Sequence, residues 1–381
     1  MRRLGVLAAM VLMVAACGGD SATDVSPGHP WTEQEVTIPF GEDELFGVLA
    51  FPPGEGPHSA IVLVDGAAST TTRVRAGAAS AAFIGFSRAM VRDGYAVLRY
   101  DPPGVGRSTG EYPIEIIDDR VAESMAALHH LQTHPDVRTD NVGLWGVSQG
   151  SWIIAKAAAD YPDDVSFIIS VSGAGISVAD QQVWGVETQT RAAGLTEQDV
   201  AKAGLLARLL IDWQLIDPIY REPTAQIAST VGSGPWSDLS KIVYSSGDST
   251  SPRSIEGVIA ILDVVQDEPW TDALYLTELY LPRLRSATPD DIVAMRQSLD
   301  LSLRTDPKDY MIDVRCPVLA LFGEDDIVQP TETSAALFEE YLTAAGNSDF
   351  EIIVMPSVGH DIDWTTPGYN EAVSRWLEEH E

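Results

Sequence analysis

Short apolar runs rich in β-branched residues alternate with helix-like stretches from residue 34 onward, and this order restricts the fold more than any other feature of the chain. The segments 34–38 and 45–51 are predicted to form an opening pair of strands. Later runs are continuously apolar, which is typical of strands buried on both faces, at 60–64, 95–98, 142–145, 167–171, 318–322 and 352–354. Helices are predicted near 76–93, 115–133, 149–160, 331–344 and 368–379. This alternation predicts an α/β fold, in which a mostly parallel, doubly wound sheet is flanked by helices.

Residues 178–310 break the alternation, because their apolar spacing is mostly helical. This stretch lies between two predicted strands, so we interpret it as a helical insertion before the strand at 318–322. Residues 34–177 and 311–381 then form the core, which has the size of one domain. Aromatic residues of the insertion either line an apolar pocket or form the insertion's own small core, and they are Trp184, Trp213, Trp236, Trp270, Tyr220, Tyr244, Tyr275 and Tyr280.

The charge balance excludes one large class of partners. The 381 residues include 24 Lys and Arg against 56 Asp and Glu, which gives a net charge of −32. Nucleic acids are held by clustered Lys and Arg, and the chain has no basic run beyond Arg2 and Arg3. We therefore expect no nucleic-acid partner, and no attachment to anionic lipid through a polybasic patch.

The first 33 residues have the pattern of an export leader and a tether. Arg2 and Arg3 precede an uncharged run too short to cross a bilayer comfortably, so residues 1–16 are predicted to be a signal peptide that is removed. Residues 14–17 resemble a bacterial lipobox, which predicts that Cys17 is lipidated and that residues 17–33 form a flexible tether. An ordinary signal peptide with an incidental Cys17 is the alternative. The mature protein is then expected outside the cytoplasm, attached to a bacterial membrane through its lipid anchor alone.

Cys316 is the second of two cysteines in the chain. It precedes an apolar strand, so we expect a buried and unreactive thiol rather than a nucleophile. No zinc-ligand, EF-hand or dinucleotide pattern occurs in the sequence, and we therefore predict neither a metal nor another cofactor.

A candidate nucleophile lies in the segment 146–150, which reads Gly-Val-Ser-Gln-Gly between an apolar strand and a predicted helix. A strand-to-helix turn this tight needs glycine on both sides of the serine and lifts the serine hydroxyl above the sheet. Ser148 is therefore the predicted nucleophile, and it needs a histidine as its base. Among seven histidines we choose His360, because it lies in the loop directly after the last predicted strand.

The loop after the strand at 318–322 carries three consecutive acids, Glu324, Asp325 and Asp326. The nucleophile, an acid and the histidine then follow the chain order of α/β-hydrolases. Residues 34–177 and 311–381 resemble the α/β-hydrolase fold, in the broad group of serine esterases, acyl hydrolases and peptidases. In that family the acid commonly lies three positions after the glycine that ends the strand, which selects Asp326 over Asp325 and Glu324. The resemblance also implies that the insertion forms a cap over the nucleophile.

Acyl transfer also needs two backbone N–H donors, the oxyanion hole. Gln149 is expected to supply one, and the resemblance assigns the other to the loop after the strand at 60–64, with Ala67 as the candidate. Asp65 stands where the family usually has histidine. Because a carboxylate in the hole would repel the oxyanion, we expect Asp65 to turn away and bind its own loop. Arg73 and Arg75 either neutralise Asp65, meet an anionic substrate or are exposed loop residues.

These residues predict a serine hydrolase that cleaves carboxylic esters through an acyl-enzyme intermediate. Its substrate is expected to be a small-molecule ester or a short peptide-like compound. A serine peptidase or aminopeptidase and a thioesterase are alternatives, because they share the same acyl-enzyme chemistry. A binding lipoprotein that keeps the fold without catalysis is a further alternative, motivated by Asp65 in the oxyanion loop.

Overall fold

The computed structural model describes residues 31–66, 77–111, 117–222, 224–231, 241, 243 and 252–381. The leader, Cys17 and most of the predicted tether lie outside the described residues. The chain divides into two compact units, one of which comprises residues 177–305. The other contains the described residues before 177 and after 305. No helix in the described ranges is long and apolar enough to cross a membrane.

One eight-stranded sheet organises the larger unit. Its strands are β1 (Thr32–Phe40), β2 (Asp43–Phe51), β3 (His58–Val64), β4 (Ala96–Tyr100), β5 (Val137–Val147), β6 (Ile168–Val171), β7 (Val318–Gly323) and β8 (Phe350–Met355). The spatial order is β1-β2-β4-β3-β5-β6-β7-β8. The pairs β1–β2 and β2–β4 are antiparallel, whereas every later pair is parallel. The predicted α/β fold with a mostly parallel sheet is therefore confirmed.

Helices follow the strands along the chain. They are α1 (Ala81–Arg92), α2 (Ile117–Gln132), α3 (Gln149–Asp160), α4 (Val178–Ala192), α5 (Glu197–Gln214), α6 (Thr224–Val231), α7 (Pro252–Val265), α8 (Leu281–Ser286), α9 (Pro289–Leu303), α10 (Lys308–Met311), α11 (Thr331–Ala344) and α12 (Tyr369–Glu379). A 3₁₀ helix at Pro269–Leu274 and a π-helix at Leu276–Tyr280 precede α8.

The sheet is buried because its central strands have apolar side chains on both faces. Helices α1 and α12 pack on one cluster of strand residues, which is formed by Ile61, Leu63, Val97, Trp145, Ile169, Leu319 and Leu321. The indole N–H of Trp145 donates to the hydroxyl of Tyr369 at 2.8 Å, so this polar atom is satisfied inside the core. Since β3 and β5 to β8 are parallel, the loops after these strands meet at the same edge of the sheet.

The unit at 177–305 is helical. Its helices α5 and α9 begin with capping boxes, at Thr196 with Asp199 and at Thr288 with Asp291, and each box satisfies two backbone N–H groups at the start of its helix. Three of its aromatic residues are buried, namely Trp213, Trp270 and Tyr280. The indole of Trp213 donates to Ser254 of the same unit. Trp236 and Tyr244 lie outside the described residues.

Candidate active site

Ser148 forms the turn between β5 and α3. Its φ of 54° and ψ of −120° lie in a region that non-glycine residues rarely adopt, so the backbone is strained at this position. Its N–H donates to the carbonyl of Val171 at the end of β6, at 2.8 Å. The strained turn leaves the side chain partly exposed at the edge of the sheet.

Two close approaches explain the glycines that flank Ser148. A Cβ atom at Gly150 would lie 2.6 Å from the carbonyl oxygen of Val64 in β3. A Cβ atom at Gly146 would collide with the carbonyl of Gly150. Any side chain at these positions would push α3 away from the sheet, so the motif reflects backbone packing as well as chemistry.

Ser148, His360 and Asp326 form a continuous line of hydrogen bonds. The distance from Ser148 Oγ to His360 Nε2 is 3.1 Å, and His360 Nδ1 lies 2.8 Å from Asp326 Oδ2. The Asp326 side chain is fully buried, and that of His360 is 12% exposed. In this arrangement His360 can accept the proton of Ser148 while the Asp326 carboxylate orients its ring.

The structure brings Asp326 to His360, and leaves the two neighbouring acids exposed. Asp326 Oδ1 accepts hydrogen bonds from the backbone N–H groups of Val328, at 2.7 Å, and Gln329, at 3.2 Å. Its Oδ2 also accepts a bond from the Gln329 side-chain amide at 3.0 Å. Glu324 instead accepts a hydrogen bond from the N–H of Ser357 at 2.9 Å. It therefore joins the acid loop to the histidine loop without touching His360.

Ser172 directly follows β6 and was not among the residues predicted from the sequence. Its hydroxyl donates to the backbone carbonyl of His360 at 2.7 Å. The residue is buried, and its φ of 53° is unusual for serine. A polar residue directly after the apolar run 167–171, beside the strand of the nucleophile, was the signal that the sequence offered.

The predicted oxyanion hole, with backbone donors at Gln149 and Ala67, lies partly outside the described residues. Gln149 is the first residue of α3, and its N–H therefore belongs to the positive end of that helix. Ala67, Arg73 and Arg75 lie outside the described residues. Among the described residues, no group of three or more His, Cys, Asp and Glu could hold a metal ion.

The Asp65 carboxylate binds amides of its own loop. Its Oδ1 accepts from the N–H of Gly66 at 2.8 Å, and its Oδ2 accepts from the N–H of Gly77 at 3.3 Å. Burial raises the pKa of Asp65, while the nearby Arg120 guanidinium opposes that rise. Both carboxylate oxygens thus accept hydrogen bonds from backbone N–H groups of the loop, as predicted from the sequence.

A buried ionic cluster lies behind this loop. Arg120 and Glu123 of α2 are both fully buried, and Arg120 Nε donates to Glu123 Oε1 at 3.2 Å. The Tyr100 hydroxyl also donates to Glu123, at 3.2 Å. Burial raises the pKa of Glu123, and the Arg120 guanidinium opposes the rise.

The sequence contained one signal for the Arg120 and Glu123 pair. Arg120 shares the inner face of α2 with four other buried residues at the spacing of one helix face, namely Ile117, Val121, Ser124 and Leu128. A charged residue on an otherwise inward face indicates a buried partner. In the sequence, however, Arg120 directly follows Asp118 and Asp119, and a run of charged residues is more typical of an exposed helix face.

The fold agrees with that of known proteins. A family model described as alpha/beta hydrolase fold matches residues 60–197. A proline iminopeptidase from Mycobacterium smegmatis is 16% identical, with a TM-score of 0.50 over 91% of this chain and 98% of its own. The esterase Pf2001 from Pyrococcus furiosus is 13% identical, with a TM-score of 0.51 over 92% and 93% of the two chains.

A third solved structure gives the same result. The alpha/beta hydrolase GrgF from a Penicillium species is 18% identical, with a TM-score of 0.51 over 92% of this chain and 98% of its own. No curated protein matches the chain significantly in sequence. At these identities the likeness to solved structures concerns the fold alone. The eight-stranded sheet, its flanking helices and the matched family model together show that this chain has the α/β-hydrolase fold.

Proposed function

We propose that the protein is a serine hydrolase that cleaves carboxylic esters. The observation that carries this proposal is the line of hydrogen bonds from Ser148 Oγ through His360 to Asp326, with distances of 3.1 and 2.8 Å. These three residues come from loops after three different strands and lie more than 30 residues apart in the chain. Such a convergence of nucleophile, base and acid supports catalysis more strongly than the motif by itself.

The reaction has two halves. Ser148 Oγ attacks the acyl carbon while His360 Nε2 accepts its proton, and Asp326 stabilises the resulting imidazolium through Nδ1–H. The tetrahedral intermediate collapses when the ester C–O bond breaks, and the leaving alkoxide takes the proton from His360. Water then attacks the acyl carbon while His360 accepts its proton. The bond from the acyl carbon to Ser148 Oγ breaks as Oγ takes that proton back, and this step releases the carboxylic acid and free Ser148.

The oxyanion of each tetrahedral intermediate is bound by the backbone N–H groups of Gln149 and Ala67 in this mechanism. The positive end of α3 adds to the stabilisation of the developing charge. The Asp65 carboxylate is compatible with this role because its two oxygens bind Gly66 and Gly77. This engagement supports an enzyme over a binding protein that only retains the fold.

Peptidase, aminopeptidase and thioesterase activities use the same acyl-enzyme chemistry. The solved structures of similar fold include both an esterase and a proline iminopeptidase. A panel of p-nitrophenyl esters, aminoacyl p-nitroanilides and acyl thioesters separates these substrate classes directly. We expect the highest kcat/KM on an ester, and a higher value on an anilide or thioester would replace ester hydrolysis by the corresponding activity.

We further propose that the enzyme acts outside the cytoplasm as a lipoprotein, attached through Cys17 after removal of residues 1–16. The support comes from the charged start, the uncharged run and the lipobox-like segment in the sequence. Metabolic labelling with a fatty-acid probe tests this proposal, since Cys17→Ser should abolish the label. A mature protein whose Cys17 carries no lipid would contradict it.

A fluorophosphonate probe, which labels activated serines, tests the hydrolase proposal. We expect labelling of the folded protein and none of Ser148→Ala, together with a loss of up to about 10⁶-fold in kcat. Ser374→Ala is the matched control, because Ser374 lies on α12 and donates to Asp93 away from the candidate site. Equal labelling of the native protein and Ser148→Ala would refute the proposed function.

A further inference from the structure

Arg120 contacts both segments that flank the predicted oxyanion hole. Its Nη1 donates to the carbonyl of Gly66 and to the side-chain oxygen of Gln149, each at 2.9 Å. Its Nη2 donates to the carbonyl of Asp65 at 3.0 Å. One planar guanidinium therefore joins the loop after β3 to the residue that follows Ser148. A lysine has no equivalent rigid fork of donors.

The two segments are already close together at this point. A Cβ atom at Gly66 would lie 3.0 Å from the carbonyl oxygen of Val147 and 3.3 Å from the Cβ atom of Ser148. Small shifts of Gly66 are therefore transmitted to the turn of the nucleophile. The bonds from Arg120 restrain both sides of this narrow contact.

Peptide geometry connects these bonds to the oxyanion donors. The carbonyl of Gly66 shares a planar peptide group with the amide N–H that follows it in the chain. Holding that carbonyl therefore restrains the described end of the loop from which the sequence predicts a donor. On the other segment, the Gln149 side chain is held by Arg120, and the Gln149 backbone N–H is the second predicted donor.

Stability by itself is a weak reason for a charge at this position. A fully buried ion pair gains little net free energy compared with apolar side chains of similar volume, because both charges lose their hydration. Arg120 and Glu123 are both fully buried, and Glu123 Oε2 makes no hydrogen bond with any residue that the structure describes. The contacts of Arg120 with Asp65, Gly66 and Gln149 give the buried charge a role other than stability.

We infer that Arg120 is a positioning residue, which holds the carbonyls of Asp65 and Gly66 against Gln149 and so aligns the Gln149 backbone donor with the loop from which the second donor is predicted. This inference rests on the proposed function, since a hole needs alignment only if an oxyanion forms. Arg120 touches neither Ser148 nor His360 through the contacts described above. Its effect should therefore fall on the transition state rather than on substrate binding.

The test measures four quantities on Arg120→Gln. They are the rate constant of fluorophosphonate labelling, kcat and KM for p-nitrophenyl butyrate, and Ki for an alkyl trifluoromethyl ketone. The ketone forms a hemiketal oxyanion on the serine and so reports on the hole. We expect labelling and kcat to fall about 10²-fold and Ki to rise by a similar factor. KM should change less than about threefold, a split that a general loss of fold would not produce.

Two further variants separate the effect of the Arg120 hydrogen bonds from the effect of its charge and from a failure to fold. Arg120→Lys keeps the charge, and we expect it to regain thermal stability without regaining kcat. Gln149→Leu leaves Arg120 and the Gln149 backbone N–H in place, so it tests one arm of the bridge even if Arg120→Gln does not fold. Its loss of kcat should not add to that of Arg120→Gln in the double variant, because both changes remove the same contact.

Tyr100→Phe is the matched control. It removes a buried hydroxyl that donates to Glu123 and leaves all three contacts of Arg120 with the loops intact. We expect a lower Tm with kcat unchanged.

The outcomes distinguish the two proposals. If the native protein and Ser148→Ala label equally slowly, the proposed function fails and the role of Arg120 fails with it. If the native protein labels rapidly and Arg120→Gln and Gln149→Leu match it in labelling, kcat and Ki, the inference about Arg120 is wrong while the proposed function stands.

Discussion

Asp326 and His360 are held by hydrogen bonds from their own loops and from the end of a neighbouring strand, whereas the loop after β3 is held by a buried arginine from α2. The acid side comprises the loops that carry Asp326 and His360. There, the backbone N–H groups of Val328 and Gln329 bind Asp326, and the Ser172 hydroxyl binds the carbonyl of His360. The oxyanion side comprises the loop after β3 and Gln149, where the oxyanion hole is proposed. There, Arg120 binds the carbonyls of Asp65 and Gly66.

This difference follows from what each side must hold. The acid side carries an ionisable pair, and neutral donors around Asp326 stabilise its carboxylate without adding a competing cation near His360. Among the described residues of the loop after β3, Asp65 is the one that carries a charge, and a cation behind the loop is compatible with a developing negative charge. The two sides should therefore respond differently to substitution.

The largest effect is expected at the acid side. Asp326→Asn should lower kcat about 10⁴-fold, because an amide cannot stabilise the imidazolium and favours the wrong tautomer of His360. Asp325→Asn is the control, since Asp325 is exposed and joins the loops through its backbone N–H, which the substitution keeps. Steady-state kinetics on one ester measures both variants. A similar loss in Asp325→Asn would show that the geometry selects the wrong acid.

A smaller effect, on stability, is expected at the oxyanion side. Glu123→Gln should lower the free energy of unfolding by about 3 kcal/mol, because it removes the carboxylate beside a fully buried guanidinium. Gln329→Leu, on the acid side, should cost about 1 kcal/mol, since it removes a neutral donor. Urea denaturation measures both free energies, and equal values would remove the contrast between the two sides.

An exposed ion pair provides the control for the buried one. Lys156 Nζ and Asp160 Oδ2 are 2.7 Å apart on the surface of α3. Asp160→Asn should change the free energy of unfolding by less than about 1 kcal/mol, because water and salt screen exposed charges. A cost as large as that of Glu123→Gln would mean that burial is not what makes the Arg120 cluster sensitive.

The smallest effect on kcat is expected at Ser172. Ser172→Ala should lower kcat about tenfold, because the carbonyl of His360 loses its hydroxyl donor and the ring becomes less well placed over Ser148. Ser172→Gly removes the same hydroxyl but suits the φ of 53° better. Equal kcat values in the two variants would assign the effect to the hydroxyl. A normal kcat in Ser172→Gly would assign it to backbone strain.

Sequence reasoning found the residues whose roles follow from local context. The alternation of strands and helices predicted the sheet, and the tight Gly-x-Ser-x-Gly turn placed Ser148 at a strand end. It missed Arg120 and Ser172, because neither belongs to a motif. Arg120 is 54 residues from Gly66, and Ser172 is 188 residues from His360. Contacts at such separations depend on which strands become neighbours.

The sequence by itself determined the period of each element, the glycines that permit the tight turn and the chain order of the candidate nucleophile, acid and base. These are local properties, fixed by backbone sterics and by the spacing of apolar residues. The tertiary structure decided which of three adjacent acids contacts His360. It also decided which backbone groups the Asp65 carboxylate binds and which buried cation binds the loop after β3. Such choices depend on the parallel strand order, which brings distant loops to one edge of the sheet.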